Sequence, residues 1–428
     1  MSPFFRPLAV GLLGLAGLHA AAATKYQVTV ASADADRAGQ VVVFALPSEL
    51  ARGALLHDAA GHLVPLQIES DRTARFLIAA QPAGQTIAFA LEEGVPPLTS
   101  GVRVVEEPSV TRGQAAGITA ATDSARAVPR PGRLRLSVEG IPILYYRMDK
   151  HELPRDAIDP KFERSGYLHP VLTPSGQMVT DDYPAHQVHD HGIWSPWAKT
   201  KFQGRAPDFW NMGEKTGTVE FGEIDRTWTG AVHGGFTAWH RFLDLSAPAP
   251  VVALNETWEV TVYGLPATAV PVRMFDLVIR QTCATSDPLL LSEFPDGGLG
   301  FRGAAGWNGP GDAAHFLTSE GETDRSKGNN TRVRWCYLGG AVAGGDLAGS
   351  AILGHPDNFR APQPVRVHPN LPFLCFAPSQ LGDFPIEPGK PFVARYRFIV
   401  ADGAPNRALL DAFWNAYAKP AVVRVEAL

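Results

Sequence analysis

Short segments in which apolar and polar residues alternate run through most of the chain from Lys25 onward. Examples are YQVTV and VVVFAL near the start, and NETWEVTVYG and FVARYRFIVAD further along. A period of two places successive side chains on opposite faces of a strand, and the 42 glycines and 36 prolines suit the turns between strands. Strands without helices between them favour antiparallel sheets, so the sequence predicts an all-β protein.

The length of these segments changes along the chain, and its 428 residues are more than one ordinary domain needs. Residues 24–107 carry short strands separated by turn residues, which predicts a small β-sandwich. Residues 108–132 lose the alternation and are rich in Ser, Thr, Ala, Gly and Pro, as in a linker. Residues 133–428 resume with longer strands, which predicts a large antiparallel β-sandwich that carries the candidate site.

One helix is predicted near the end of the sequence. Asn406 can cap its start, and Pro420 ends it. Its apolar stripe consists of Leu409, Leu410, Phe413 and Tyr417. A helix with one apolar stripe docks that stripe on a larger core, so we expect it to pack on the sandwich.

The first 23 residues have the pattern of a secretory signal peptide. Arg6 precedes an apolar run from Leu8 to Leu18, and four alanines follow. No later stretch reaches the roughly 20 apolar residues of a transmembrane helix. We therefore expect a periplasmic or secreted protein with no membrane contact after cleavage. The net charge of −5, without a basic patch, argues against nucleic acid as a partner.

A polar and aromatic run from Asp181 to Met212 is the main candidate for a binding site. It contains His186, His189 and His191, the tryptophans Trp194, Trp197 and Trp210, and the polar residues Asp208 and Asn211. A segment that only filled a core would not hold so many titratable groups. Imidazoles bind metals or transfer protons near neutral pH, and tryptophans offer flat faces for stacking.

Two kinds of chemistry fit this run. In the first, His186, His189 and His191 supply imidazole ligands to a divalent metal. All three would reach one ion only if the chain kinked at Val188, where no glycine or proline assists, so we expect at most two to share a site and expect no required cofactor. In the second, a histidine acts as general acid or base on a sugar whose ring stacks on a tryptophan.

Four later segments combine turn residues with polar side chains. They contain His233; Glu293, Asp296 and Arg302; Ser319 and Glu320; and His355, Asp357, Asn358 and Arg360. Loops that are distant in sequence can converge at one end of a sandwich. The residues expected around one cleft are His189, His233, Glu293, Arg302 and His355.

Several short motifs in residues 133–403 are LHPVLTPSGQMVT, the histidine run ending in HGIW, DFWNMG, DGGLGFR, SEG and GHPDNF. In these motifs the chain resembles a bacterial family labelled "methane oxygenase PmoA-like", largely of unknown function. Family members often carry HHHHRG where this chain has HQVHDHG, which leaves His189 as the shared group. The family label implies a metal-dependent oxidoreductase. The large sandwich is similar to the mutarotase-like supersandwich of sugar epimerases, lyases and hydrolases.

We therefore expect an exported carbohydrate-active enzyme, a lyase, hydrolase or epimerase that uses histidine acid/base chemistry on a sugar or glycan. The expected catalytic residues are His189, His191, Asp208, Glu293, Arg302 and Glu320, with Arg302 neutralising an oxyanion or a uronate carboxylate. The expected substrate-binding residues are Trp194, Trp197, Trp210, Asn211, His233, His355 and Asn358. The alternatives are a non-catalytic glycan-binding protein of the same fold and a metal-dependent oxidoreductase.

Overall fold

The computed structural model describes residues 25–50, 53–97, 101–108, 131–151, 153–266, 270–309, 313–342 and 344–428. The predicted signal peptide, residues 1–23, and residues 109–130 of the predicted linker lie outside the described residues. The chain is mostly β, with 50% strand and 7% helix, which confirms the prediction of an all-β protein.

Antiparallel strands supply nearly all of the regular structure. In chain order they are β1 (Lys25–Val30), β2 (Arg37–Ala45), β3 (Ala54–His57), β4 (Leu63–Val64), β5 (Gln67–Ile68), β6 (Thr73–Gln81), β7 (Ile87–Glu93), β8 (Val102–Pro108), β9 (Pro131–Val138), β10 (Ile141–Arg147), β11 (Tyr167–Val171), β12 (Ile193–Trp194), β13 (Thr200–Lys201), β14 (Gly217–Trp228), β15 (His233–Asp244), β16 (Val251–Tyr263), β17 (Val272–Cys283), β18 (Leu289–Leu291), β19 (Leu299–Arg302), β20 (Ala314–Thr318), β21 (Thr331–Arg332), β22 (Trp335–Ala341), β23 (Leu347–Gly354), β24 (Pro364–Val367), β25 (Phe373–Phe376), β26 (Phe384–Ile386), β27 (Phe392–Asp402) and β28 (Val423–Ala427). The helices of the described residues are α1 (Arg325–Gly328), α2 (Arg407–Ala418) and 3-10 turns at Pro160–Phe162, Ala305–Trp307 and Pro378–Leu381.

The first seven strands and β28 form a small sandwich of two sheets. One sheet has the order β28-β1-β7-β3-β4, and the other has the order β2-β6-β5. Val28, Val30 and Val42, at alternate positions of their strands, are buried with Phe76 and Leu91 in one core. Burial of such side chains contributes roughly 1.5–3 kcal/mol each, and this core holds the small sandwich together.

Two larger sheets face each other in the rest of the chain. Their strand orders are β21-β24-β25-β19-β12-β11-β10-β9-β8 and β14-β15-β16-β17-β27-β23-β22-β20. Leu136 and Phe301 of the nine-stranded sheet meet Trp258 and Leu277 of the eight-stranded sheet in the main core, where all four are fully buried. The predicted large antiparallel β-sandwich is confirmed.

Two strand pairs link the predicted small domain, residues 24–107, to residues of the large sandwich or of its sequence range. β8 pairs with β9 in the nine-stranded sheet, with Val104 opposite Leu136. β28 pairs with β1 in the small sandwich, with Val425 opposite Val28. Alternation reports the two faces of a strand and not its partner, so the sequence could not predict these pairs. The proposed domain boundaries stay predictions.

The long helix near the C-terminus is confirmed at α2. The Asn406 side chain accepts a hydrogen bond from the Leu409 N–H, at 3.1 Å, and so caps the helix. Phe413 is fully buried and packs against Gly39 of β2. A Cβ at Gly39, which has φ of +55°, would lie 2.4 Å from the Phe413 ring. The close approach of helix and sheet therefore requires glycine there.

The segment between β11 and β14 covers the outer face of the nine-stranded sheet, which is turned away from the main core. Tyr183 and Trp210 of this segment are buried against Trp194 and Phe373 of the sheet. The Trp194 and Trp210 rings meet edge to face, 5.5 Å apart. A Cβ at Gly300 of β19 would lie 3.0 Å from the Trp194 ring, so glycine makes room for this aromatic layer. We call residues 172–192 and 195–216, which exclude the sheet strand β12, the covering segment.

Candidate functional site

Strand β24 brings two polar side chains to the outer face of the nine-stranded sheet. Val365 and Val367 are buried in the main core. Because side chains alternate along a strand, Arg366 and His368 face away from that core. β24 pairs with β25, and β25 pairs with β19. This order places the β24 edge of the sheet beside the covering segment.

A cavity of about 220 Å³ lies between the covering segment and this edge of the sheet. It is lined by Gln187, His189, Asp190, Ala198, Trp210, Asn211, Phe294, Asp296, Arg366, His368, Leu371 and Phe373. Since a cavity of about 150 Å³ can bind benzene, this volume has room for one six-membered ring.

Asp190 has the most strongly shifted pKa of the titratable side chains in the cavity wall. Its side chain is buried, and the residue is only 4% exposed. Its Oδ2 lies 3.3 Å from Arg302 Nη1, and its Oδ1 lies 3.8 Å from His189 Nε2. Burial, with smaller contributions from the charges of Asp296 and Asp181, raises the pKa of Asp190 to about 7 against the opposing effects of Arg302 and a hydrogen bond from Trp210. The carboxyl can therefore hold or release a proton near neutral pH.

Arg302 contacts the Asp190 carboxyl but lies outside the cavity wall. It is fully buried, and its Nη2 donates to Asn308 Oδ1 at 2.6 Å and to His186 Nε2 at 3.0 Å. It does not line the cavity. The structure thus places Arg302 against Asp190 and not in the cavity wall, and its predicted role toward a substrate stays a prediction.

Asp296 and Arg366 form an ion pair at the cavity. Arg366 Nε lies 3.5 Å from Asp296 Oδ1, and neither atom has a hydrogen-bond partner among the described residues. Burial raises the pKa of Asp296, while the charge of Arg366 lowers it. The pair thus leaves both groups with unfilled hydrogen-bonding capacity.

His368 is held in one protonation state. Its Nδ1 accepts hydrogen bonds from the backbone N–H groups of Asn370, at 3.2 Å, and Leu371, at 3.1 Å. Burial, together with the charges of Arg366 and Arg302, lowers the pKa of His368 to about 4. A neutral ring with Nδ1 as acceptor carries its proton on Nε2, so His368 is a neutral hydrogen-bond donor.

His189 and His191, two residues apart, have different surroundings. His189 lines the cavity, and burial lowers its pKa. His191 is fully buried, stacks on Tyr167 with ring centroids 4.4 Å apart, and has its Nδ1 2.8 Å from Asp182 Oδ1. Burial lowers the pKa of His191 to about 4. Because it does not reach the cavity, the structure gives His191 a packing role where the sequence predicted catalysis.

Of the three predicted stacking tryptophans, Trp210 lines the cavity and Asn211 lies beside it. Trp194 and Trp197 are 0% and 2% exposed, so neither ring has a face open to a ligand. Asp208 accepts hydrogen bonds from the N–H groups of Trp210, at 2.8 Å, and Asn211, at 2.9 Å. It shapes the turn that presents these two residues.

The other predicted site residues do not join this cavity. Glu293 is exposed near its rim, and its N–H donates to Asp383. His233 faces Glu69 of the small sandwich, at 2.8 Å. Glu320 is exposed, with its Oε1 3.8 Å from Arg334 Nε.

His355 and Asn358 line a second cavity, of about 230 Å³, with Arg334 and Trp414 among its other walls. The expected convergence of five residues on one cleft therefore does not occur. Glycine-rich polar segments mark turns, and a turn's composition does not state which side of the sandwich the turn faces.

The three histidines of the run do not form one ligand set. His186 accepts from Arg302, whereas His191 is bound to Asp182 inside the covering segment. Among the described residues, no group of three or more His, Cys, Asp or Glu side chains is placed to hold a metal ion.

Sequence reasoning missed several walls of the cavity. Arg366, His368, Phe294 and Phe373 were not predicted as site residues, and Asp190 and Asp296 were not assigned a role. One signal was present, since valine alternates with arginine and histidine in PVRVH, residues 364–368. That alternation puts both polar side chains on one face, but the covering segment that makes this face a cavity wall is 150 residues earlier in the chain.

A model of the family described as "Family of unknown function (DUF6807)" matches residues 133–415. The resemblance to a "methane oxygenase PmoA-like" family is therefore wrong, because the family model that matches is this one. No curated protein matches the chain.

Among solved structures, the chain is similar to an alpha-mannosidase from Enterococcus faecalis V583, with a TM-score of 0.47 and 10% identity. The match covers 94% of this chain and 46% of that protein, so the chain spans less than half the length of its structural neighbour. No helix among the described residues is both long and apolar enough to span a bilayer.

Proposed function

We propose that this chain, which belongs to the family of unknown function DUF6807, is an exported carbohydrate-active enzyme that works through the Asp190 cavity. The observation that carries the proposal is a buried carboxyl in a cavity wall, with a histidine 3.8 Å away and aromatic rings around the same space. Seven of the twelve residues that line the cavity are polar and five are apolar, so its walls can hydrogen-bond to a polar ligand as well as contact it with apolar surface.

Asp190 and His189 are the proposed acid/base pair. A carboxyl with a pKa of about 7 is present in both protonation states near neutral pH, which suits a group that takes and returns a proton. The neutral His189 beside it can accept a proton or orient the carboxyl. Arg302 behind the carboxyl keeps part of its charged form available.

The remaining walls suit a sugar ring. Phe294 is half-buried and offers an apolar face to the C–H face of a sugar, and the more deeply buried Trp210 and Phe373 complete this apolar wall. Gln187 and Asn211 offer amide groups, which can donate to and accept from hydroxyls. The metal-dependent oxidoreductase hypothesis has no supporting ligand group among the described residues.

The test compares Asp190→Asn with the parent protein on a panel of soluble glycans, measuring both binding and new reducing ends or unsaturated ends. General acid/base catalysis typically contributes 10²–10⁴-fold, so turnover should fall by at least about 100-fold while affinity changes within a few-fold. The matched control is Asp225→Asn, an exposed carboxyl of β14 outside the cavity, which should leave turnover unchanged.

Two results would count against the enzyme. If the parent binds a glycan in this cavity but turns over none, the chain is the glycan-binding protein of the alternative hypothesis. If Asp190→Asn retains full turnover, the acid/base group lies elsewhere.

We also propose that residues 1–23 direct export and are removed. N-terminal sequencing of protein recovered outside the cytoplasm should begin near Thr24. A mature protein that starts at Met1 would contradict export by this signal.

A further inference from the structure

Two hydrogen-bond donors that line the cavity take no part in the proposed acid/base chemistry. They are Arg366 and His368, which lie two residues apart on the same face of β24 and its continuation. Both reach the cavity from the sheet, whereas Asp190 and His189 reach it from the covering segment. A ligand in the cavity therefore has the proton-transferring groups on one side and these two donors on the other.

Arg366 is paired with one carboxylate, but its Nε has no hydrogen-bond partner of ordinary geometry among the described residues. That nitrogen lies 3.5 Å from Asp296 Oδ1. The side chain is 20% exposed, so most of its hydration is lost without replacement. A guanidinium presents its donors as a planar fork that matches a carboxylate.

His368 adds a donor that is independent of pH over the neutral range. Its Nδ1 is occupied by the two backbone N–H groups of Asn370 and Leu371, which leaves Nε2–H as the only donor of the ring. A neutral imidazole donates a hydrogen bond to an oxygen but carries no positive charge, so it does not repel the guanidinium of Arg366. The two groups together form a donor set for an anionic oxygen pair.

We propose that the natural substrate of the cavity is a sugar acid, a uronate or an oligosaccharide that contains one, whose carboxylate is bound by Arg366 and His368. This inference rests on the proposed function and narrows its substrate class. A neutral sugar would leave the guanidinium with its donors unfilled, and such unfilled donors are costly in a partly buried site. Charge-assisted hydrogen bonds to a carboxylate are about twice as strong as neutral ones.

The charge of the cavity fits this assignment. Asp296 neutralises only one edge of Arg366, and Asp190 is largely uncharged below neutral pH because burial raises its pKa to about 7. An anionic ligand therefore meets one guanidinium whose other edge lacks an acceptor. Electrostatic attraction of this kind weakens as salt increases, so the affinity for a sugar acid should fall between low and high ionic strength.

The experiment uses titration calorimetry with short oligogalacturonates and oligomannuronates, each paired with its carboxyl-reduced, neutral counterpart. The parent protein should bind at least one acid form about 10-fold or more tightly than its reduced form. Arg366→Gln should remove that preference, Arg366→Lys should retain part of it because the charge remains without the fork, and the surface variant Arg226→Gln should retain all of it.

The outcomes separate this inference from the proposed function. If neutral sugars are turned over in an Asp190-dependent manner and acid forms have no advantage, the sugar-acid inference is overturned and the proposed function stands. If no glycan of either kind binds, both fail. If Arg366→Gln folds, as judged by its melting temperature, and keeps the preference for acid forms, Arg366 is not the group that binds the carboxylate.

Discussion

At the scale of single residues, His189, Asp190 and His191 show that the surroundings of a titratable side chain, and not its residue type alone, decide whether it can meet a ligand. His189 faces the cavity, Asp190 is bound to Arg302 from behind, and His191 is enclosed between Tyr167 and Asp182. Only the first two meet a ligand-sized space. Since all three are titratable, the sequence marks the run as functional but cannot rank its members.

The raised pKa of Asp190 links its protonation to folding. Its pKa is about 7 in the folded chain against an ordinary 3.8, so the folded state binds this proton more tightly than the unfolded state does. The resulting stabilisation is complete below pH of roughly 4 and is lost as the pH rises through about 7. The charged groups facing Asp190 are Arg302, Asp296 and Asp181, with His189 beside it.

Asp190→Asn removes this titration, so the melting temperature of the variant minus that of the parent should increase between pH 4 and pH 8. Thermal unfolding at four or five pH values measures the difference. For the control Asp225→Asn we expect a flat difference. A difference that decreases with pH in Asp190→Asn would show that the carboxyl is ionised throughout.

Arg302→Met removes the guanidinium that faces Asp190, Asn308 and His186. Loss of one partner from a buried ion pair typically costs about 3–5 kcal/mol, and we expect a loss of that order at pH 8. At pH 5 the loss should be smaller, because Asp190 then carries its proton. Urea unfolding at both pH values measures it, and Arg226→Met, at a surface ion pair, should change the free energy by less than about 1 kcal/mol.

At the scale of elements, a buried chain of hydrogen bonds connects the eight-stranded sheet to the covering segment. His240 Nδ1 of β15 lies 2.6 Å from Glu256 Oε2 of β16, and Gln281 Nε2 of β17 donates to Glu256 Oε1 at 2.8 Å. Gln281 Oε1 in turn accepts from Trp197 Nε1 at 2.8 Å. Tyr146 Oη of the opposite sheet closes the chain on His240 Nε2, at 2.5 Å.

Gln281→Leu would leave Glu256 Oε1 and Trp197 Nε1 without their partner. Each buried polar group that loses its hydrogen bond costs about 1–3 kcal/mol, so the free energy of unfolding should fall by more than a simple loss of packing would cause. Chemical denaturation measures this fall. Arg280→Gln, on the exposed face of the same strand, should change the free energy by about 0.5 kcal/mol at most, and equal losses in the two variants would refute the role of the chain.

Elements whose signals are local were predicted well. The cap at Asn406, the apolar stripe and Pro420 together predicted α2, because a helix is specified by neighbours within one or two turns. The alternating segments predicted strands for the same reason. The cavity was only half predicted, since Trp210, Asn211 and His189 lie in one run whereas Arg366 and His368 come from a strand that the fold brings beside it.

At the scale of the whole molecule, the all-β class followed from the repeated alternation, but the sheet order did not. β1 pairs with β28, although the two segments lie near opposite ends of the sequence. The residues of neither strand identify the other as its partner. Both are short strands with valine at alternate positions. Such strands fit many partners, and only the packed molecule selects one.

Deletion of residues 421–428 tests how much the small sandwich depends on that pair. Val423 and Val425 pack against its core, and their loss would leave β1 as an exposed sheet edge. We expect the small sandwich to melt earlier than the large one and to be cut by protease within residues 25–93, while Asp190-dependent turnover persists. The control Arg424→Ala, at an exposed position of β28, should melt at the same temperature as the parent. If the deletion variant also melts like the parent, the pairing of β1 with β28 does not stabilise the small sandwich.

The same pairing has a consequence for how the chain is made. Tyr26 and its cross-strand neighbour Ala427 are separated by about 400 residues of chain, so Tyr26 is synthesised well before its partner. At roughly 5–20 residues per second of synthesis, β1 waits on the order of tens of seconds for the strand that completes its sheet. During that interval the small sandwich lacks one edge of its sheet and cannot close, so it completes its fold only after the strands of the large sandwich have been synthesised.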